Sequence, residues 1–150
     1  MVSTSRILLI DAHALCYRAF YAVKDLRNSK GQPTNAVFGF VNILKKILTR
    51  YAPGYAAACF DAGRHTKRTE RFSAYKAQRS AMPEDLALQI PVIQDVLKAF
   101  RIPIFAMEGY EADDIIAVLA RRFRENGREI IIVSDDKDLH QLLCEGIRIY

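Results

Sequence analysis

Short apolar runs, several of them ending in acidic residues, constrain the fold of this chain most strongly. These runs predict buried β-strands at residues 7–10, 55–60, 102–107, 129–134 and 147–150. Apolar residues at helical spacing between them predict helices at residues 36–51, 83–100, 111–126 and 137–143. Because strands that alternate with helices form parallel sheets, the sequence predicts an α/β, Rossmann-like sheet with helices on both faces.

Length and composition fit one globular domain, which we place at residues 1–150, with 51% hydrophobic residues and a net charge of +5. This basic excess permits nucleic-acid binding without demanding it. Cys16, Cys59 and Cys144 lie far apart and form no CxxC pair, so the sequence predicts neither a zinc site nor a disulfide framework. The N-terminus does not resemble a signal peptide, and no apolar run reaches membrane-spanning length. We therefore expect a cytoplasmic protein without a membrane partner.

Acidic residues cluster where the predicted strands end. The carboxyl ends of parallel strands share one edge of a sheet, where ligands bind in such folds. The acids in these positions are Asp11, Asp61, Glu111, Asp113, Asp114, Asp135, Asp136 and Asp138. Any one of them alone is explained about equally well as a helix cap. Several carboxylates on one rim, however, repel one another unless a cation neutralises them.

The donor types at this rim indicate the metal. Oxygen ligands without His or Cys favour Mg²⁺ or Mn²⁺ over zinc. His13 follows Asp11 closely, but a lone His in such a place is more often a packing group or an outer partner. Two ions about 3.5–4 Å apart can hold the attacking and leaving oxygens of a phosphoryl displacement, which then needs no protein nucleophile. The acids therefore predict metal-dependent cleavage of nucleic-acid backbones.

Residues 63–82 interrupt the alternation of strands and helices with a basic segment. Its cations are Arg64, Lys67, Arg68, Arg71, Lys76 and Arg79, against the single acid Glu70. Phe72 and Tyr75 lie among them. Cations that follow phosphates and rings that stack on bases suit single-stranded nucleic acid, whereas a solvated face is the simpler alternative. The position directly after Asp61 favours the nucleic-acid interpretation.

Together these stretches resemble the 5′-nuclease (flap endonuclease) family, and most of all the N-terminal 5′–3′ exonuclease domain of bacterial DNA polymerase I. The resemblance covers essentially the whole chain. The stretches that carry it are ILLIDAHALCYRAF, QPTNAVFGF, FDAGRHTKRTERFSAYKAQR, MPEDL, GYEADDIIAVLA and SDDKDLHQLL. It implies a PIN-like α/β nuclease that cleaves DNA at 5′ flaps or 5′ ends with two Mg²⁺ ions, in replication and repair, and that acts as a monomer.

The resemblance also implies roles for particular residues. It assigns a first metal cluster to Asp11, Asp61, Glu111, Asp113 and Asp114. It assigns the start of a second cluster to Asp136 and Asp138. Within the YKxxR stretch of a helical arch, it implies that Tyr75 stacks on the substrate and that Lys76 and Arg79 steer the scissile phosphate. Arg18, in the YRAF stretch, is a further phosphate-contact candidate.

The chain departs from the family pattern in two positions. Ala12 stands where members often have Gly, and Asp135 stands where they usually have Gly or Ala. The extra acid at 135 either perturbs the second metal site or points to solvent. The family also continues beyond this point with further acids and a helix–hairpin DNA-binding module. We therefore expect an incomplete nuclease domain with an under-ligated second metal, and the sequence leaves open whether a polymerase region follows in a longer parent protein.

Three alternatives remain open from the sequence. A PIN-like ribonuclease would share the acidic rim, although the long basic segment and the YKAQR stretch favour the flap family. A truncated, inactive DNA-binding remnant would fit the missing acids. A phospho-receiver domain would place its acceptor at Asp61, but it normally needs an acid pair after the first strand, where this chain has Asp11.

Overall fold

The computed structural model describes residues 3–63 and 81–150. Five parallel strands form one sheet: β1 (Ser3–Asp11), β2 (Pro53–Cys59), β3 (Ile104–Phe105), β4 (Glu129–Val133) and β5 (Ile147–Ile149). The helices are α1 (Ala12–Ala22), α2 (Asn35–Tyr51), α3 (Glu84–Ala87), α4 (Ile90–Ala99), α5 (Ala112–Glu125) and a 3₁₀ helix (Lys137–Leu142). No helix within the described ranges is long and apolar enough to cross a membrane.

The strand order is β3-β2-β1-β4-β5, so the chain moves outward from β1 in one direction and then crosses to its other side. This reversal places a topological switch point between β1 and β4, beyond whose carboxyl ends ligands bind in open α/β sheets. Ile10 pairs with Ala58 of β2 and with Val133 of β4. The register therefore brings Asp11 level with Ser134, the residue after β4.

Alternating side chains of β1 build two cores. Leu8 and Ile10 face α1 to α4, whereas Ile7 and Leu9 face α5 and the 3₁₀ helix. This period of two is what a central strand needs when helices cover both faces. The prediction of a parallel sheet with helices on both faces is confirmed.

Two close contacts fix the helices on the α1 and α2 side. A Cβ on Gly39 would lie 2.9 Å from the carbonyl oxygen of Ala19, so only glycine allows this approach of α2 to α1. Buried Gln89 accepts from the backbone N–H groups of Ala36 and Val37 at 2.8 and 3.1 Å. The glutamine thus caps α2 from a distant part of the chain, since Thr34 makes no side-chain cap.

The structure corrects several predicted boundaries. Helix α1 was not predicted, because its apolar stripe is short. The single helix expected at residues 83–100 is instead split into α3 and α4, since Pro91 cannot donate an N–H and its ring clashes with the preceding turn. The strand expected at residues 102–107 is reduced to β3, an edge strand that begins just after Pro103. The helix expected at 137–143 is of the 3₁₀ type.

Candidate functional site

A cleft of about 690 Å³ opens at the carboxyl ends of β1, β2 and β4. Lys137 and His13 line it, together with six carboxylates: Asp11, Asp61, Glu111, Asp113, Asp135 and Asp136. Asp11 ends β1, Asp61 lies two residues beyond β2, and Asp135 and Asp136 lie just after β4. The described part of the wall is thus strongly anionic, and it lies at the switch point of the sheet.

Asp11 joins α1 to the end of β4. Its Oδ1 accepts from the Ala14 N–H at 3.2 Å, which caps α1, and its Oδ2 accepts from the Ser134 hydroxyl at 2.7 Å. The residue is only 8% exposed. Burial raises the pKa of Asp11, and the nearby Asp61 carboxylate raises it further, while the bonds from Ser134 and Ala14 act in the opposite direction. The protein therefore holds a carboxylate here at an electrostatic cost.

Asp61 connects β2 to the start of α5. Its Oδ1 accepts from the backbone N–H of Ala112 at 2.7 Å, so the carboxylate lies at the positive end of α5. The Asp61 N–H in turn donates to Nδ1 of His13 at 3.3 Å, and the His13 ring meets Phe60 edge to face. These contacts agree with the interpretation of His13 as an outer partner of an acid.

The three acids of the GYEADD stretch point in different directions. Glu111 is 3% exposed and precedes α5, and Asp113 lines the cleft with a buried Oδ1 atom. Oδ2 of Asp114 instead accepts from the backbone N–H of Glu111 at 3.1 Å, as in a capping box. Asp114 lies along a separate apolar groove with Phe105. Within this stretch, Glu111 and Asp113 are therefore the residues that reach the cleft.

The acids after β4 are more exposed. Asp136 caps the 3₁₀ helix by accepting the Asp138 N–H on its Oδ1 at 2.9 Å, and its own N–H donates to the Ser134 hydroxyl at 3.0 Å. Asp138 is exposed and does not line the cleft. The membership of Asp136 and Asp138 in a second metal cluster stays a prediction.

Asp135 forms an ion pair with Arg18 that the sequence did not reveal. Arg18 Nε donates to Oδ2 of Asp135 at 2.7 Å, and Nη2 donates to Oδ1, which makes the contact bidentate. The hydrogen bonds from Arg18 lower the pKa of Asp135, and the same bonds raise the pKa of Arg18. Both residues had been singled out separately, but the contact spans 117 positions and no local pattern connects them.

Seven predicted nucleic-acid contacts lie outside the described residues. These are Arg64, Lys67, Arg68, Arg71, Tyr75, Lys76 and Arg79. Their roles stay predictions.

The chemistry of the donors fits a hard cation, because six carboxylates and no cysteine line the described part of the cleft. Across residues 3–63 and 81–150, no three His, Cys, Asp or Glu side chains are grouped closely enough to hold a metal ion as they stand. Asp11 and Asp61 accept bonds from N–H or hydroxyl donors in this arrangement. Binding of an ion would therefore require side chains to move.

Comparison with known proteins identifies the family. Residues 6–150 match the model of the 5′–3′ exonuclease, N-terminal resolvase-like domain. The chain belongs to this family. Among its relatives, DNA polymerase I of Chloroflexus aurantiacus is 46% identical over 145 residues, which make up 95% of this chain and 15% of that protein. The 5′–3′ exonuclease of Aquifex aeolicus is 43% identical over 141 residues, or 94% of this chain and 49% of that protein.

Solved structures of other proteins share the fold of this exonuclease-family chain. The T5 D15 protein, co-crystallised with metal ions, matches with a TM-score of 0.72 at 20% identity, over 97% of this chain and 54% of that one. The catalytic core of Rad2 in complex with DNA substrate matches with a TM-score of 0.56 at 21% identity, over 99% and 44%. The predicted PIN-like α/β fold and the predicted family are confirmed. The chain spans about half or less of the length of these relatives.

Proposed function

We propose that this chain is a divalent-metal-dependent 5′–3′ exonuclease and flap endonuclease domain that hydrolyses DNA phosphodiesters at 5′ ends or flaps. One observation carries the proposal: carboxylates from the ends of β1, β2 and β4 and from the start of α5 converge in a single cleft at the switch point of the sheet. Membership of the 5′–3′ exonuclease family supports the same activity.

Asp11, Asp61, Glu111 and Asp113 would hold the first ion, since all four line the cleft. Asp114 would support them by fixing the backbone of Glu111. Asp136 and Asp138 would contribute to a second ion. Bound Mg²⁺ or Mn²⁺ would supply water activation and charge neutralisation at the leaving oxygen. The contacts of Asp11 and Asp61 hold both carboxylates at the same end of the sheet, and movement of the side chains would complete the site around an ion.

Metal and DNA as partners are supported by relatives. The T5 D15 flap endonuclease was solved as a pseudo-enzyme-product complex with DNA and metal ions. Several matched relatives are DNA polymerases I, of which the chain covers 15–17%. We therefore include a polymerase region elsewhere in a longer parent protein, and a cytoplasmic, DNA-associated location, in the proposal.

Tyr75, Lys76 and Arg79 complete the proposed machinery. The tyrosine would stack on a base, and the two cations would steer the phosphate toward the acids. Their position in the sequence soon after Asp61 supports this role.

A 5′-labelled DNA flap substrate tests the activity. We expect release of a 5′ fragment in Mg²⁺ or Mn²⁺ and a loss of more than about 100-fold in Asp113→Ala, a larger effect than outer-shell partners of metals give. Asp95→Ala is the matched control, because this exposed acid pairs with Lys98 on α4, outside the cleft. Normal cleavage by Asp113→Ala would contradict the proposal.

Two further outcomes separate the alternatives. Preferred cleavage of a matched RNA flap would instead identify a PIN-like ribonuclease. Flap binding in Ca²⁺ without turnover in Mg²⁺ or Mn²⁺ would identify an inactive DNA-binding remnant.

A further inference from the structure

The Arg18–Asp135 pair lies at the wall of the cleft. Arg18 follows Tyr17, and Asp135 follows Ser134; Tyr17 and Asp135 both line the cleft. Both ends of the pair are tied to Asp11, since Asp11 caps α1 and accepts from the Ser134 hydroxyl. The Arg18 guanidinium is thus held beside the cleft through its contact with Asp135.

The geometry of this pair is that of an arginine bound to a phosphate. Two N–H groups of the guanidinium donate to two oxygens of one acid. The same planar fork fits a carboxylate and a phosphodiester equally well. The ring of Tyr150 lies 6.0 Å from the guanidinium carbon on another side and leaves the fork directed at Asp135. Asp135 therefore occupies the position in which a phosphate would bind Arg18.

The pair is also exposed enough to exchange partners. The side chain of Asp135 is 59% exposed and that of Arg18 is 30% exposed. Ion pairs of this kind contribute little to stability because water and salt screen them. A polyanion that approaches the cleft could thus replace the carboxylate at small cost.

We propose that Asp135 competes with a nucleic-acid phosphate for the Arg18 guanidinium, so that Arg18 is a phosphate-binding cation restrained by an internal substitute for its ligand. This inference rests on the proposed function and assigns to Asp135 a role in substrate affinity. Binding of DNA exchanges one partner of Arg18 for another and makes or breaks no covalent bond. The pair therefore lowers the affinity of the cleft for phosphates, because a phosphate must displace Asp135 before it can bind Arg18.

Binding of a fluorescent 5′-flap DNA, measured by anisotropy in Ca²⁺ across a salt series, tests this proposal. We expect Asp135→Asn to tighten binding about twofold to fivefold, the range that an exposed ion pair allows. The slope of log K against log salt should steepen by up to about 0.9, the value for one additional phosphate contact. Asp135→Glu, which keeps the carboxylate, should retain the wild-type affinity for the flap and the wild-type salt slope.

Asp85→Asn is the matched control. Asp85 also pairs with an arginine, Arg27, and is similarly exposed, but the pair does not line the cleft. The substitution changes the net charge by the same amount, so it should leave the affinity within about twofold of wild type. Arg18→Gln should cost more affinity in the Asp135→Asn background than in wild type, because only there is the guanidinium fully available.

The outcomes separate the two proposals. Weaker binding by Asp135→Asn would show that the acid positions Arg18 rather than competing for it. Equal tightening by Asp85→Asn, or no effect of Arg18→Gln in either background, would also overturn the competition while leaving the nuclease function intact. Absence of flap binding in every variant would overturn both.

Discussion

The two sides of the cleft hold their carboxylates in different ways. On one side, Asp11, Asp61 and Glu111, which we call the anchored acids, lie where strands meet helix N-termini, and two of them are buried. On the other side, Asp135 and Asp136 follow β4, and we call them the loop acids together with Asp138, which does not line the cleft. Asp135 and Asp138 are exposed. The anchored acids are positioned by sheet register and helix starts, whereas the loop acids depend on Arg18 and on local backbone bonds.

This difference indicates which acids the folded sheet holds in place. Asp11 reaches Ser134 across 123 positions and Asp61 reaches Ala112 across 51, so each contact exists only in the folded sheet. Asp136 and Asp138, by contrast, interact over two positions. Groups that the fold holds in place contribute more to catalysis because they need less ordering when an ion or substrate binds. The anchored acids should therefore dominate activity, and the loop acids should adjust it.

Asp11→Asn should reduce cleavage activity more than any other substitution considered in this comparison. We expect flap cleavage in Mg²⁺ to fall at least about 1000-fold, since one charged ligand is lost from the buried carboxylate that joins α1 to the end of β4. Single-turnover cleavage with Asp95→Asn as the control measures this effect. If Asp11→Asn retained more than a tenth of wild-type activity, the anchored acids would not dominate activity over the loop acids.

Ser134→Ala should reduce metal affinity and cleavage by an intermediate amount. The substitution removes the hydrogen bond to Oδ2 of Asp11 and the acceptor for the Asp136 N–H. Loss of such an outer partner typically weakens metal affinity or activity about 10–100-fold. The Mg²⁺ concentration for half-maximal cleavage should therefore rise, with Ser134→Thr retaining more affinity because it keeps a hydroxyl. An unchanged Mg²⁺ dependence in Ser134→Ala would show that Asp11 needs no such support.

Asp138→Asn should reduce cleavage less than about tenfold, and added Mn²⁺ should restore most of the loss. The residue is exposed and does not line the cleft in this arrangement. A loss as large as that of Asp11→Asn would place Asp138 among the essential ligands and would contradict the comparison.

In EDTA, Asp11→Asn should raise the thermal stability of the protein, although the same substitution should lower cleavage activity in Mg²⁺. Burial raises the pKa of Asp11 above the ordinary value of 3.8, so the protonated acid contributes stability that is present below that value and is lost as pH rises through the folded-state pKa. Asp11→Asn should therefore raise Tm in EDTA at neutral pH, by roughly 2–4 °C if the gain is about 1 kcal/mol. The gain should vanish at low pH. A lower Tm at neutral pH would mean that the bonds of Asp11 outweigh its burial.

The sequence was sufficient to predict the sheet, its helices on both faces and the acids that line the described part of the cleft. Four of these acids end or closely follow apolar strands, whereas Glu111 and Asp113 lie at the start of α5. The pattern could not distinguish Asp114, which caps Glu111, from Asp113, which reaches the cleft, because both lie in the first turn of α5. Nor could it reveal the Arg18–Asp135 pair, which depends on how α1 packs beside the end of β4.

The end of a helix was predictable where residues next to it in the sequence determine where it stops. The helix predicted to end at residue 126 ends at Glu125, and Gly127, with φ of 73°, follows it closely. The split between α3 and α4 was missed because the apolar period continues through Pro91, the residue that interrupts the helix. The pattern also could not show that Gln89, just before Pro91, turns inward to cap α2.

Binding of Mn²⁺, followed by the loss of the free-ion electron paramagnetic resonance signal, tests the central claim most directly. The wild-type chain should bind Mn²⁺ at neutral pH. Asp61→Asn should weaken this binding more than tenfold, whereas Asp138→Asn and the control Asp95→Asn should change it less than about threefold. Wild-type affinity in Asp61→Asn would contradict the assignment of the anchored acids as the metal site.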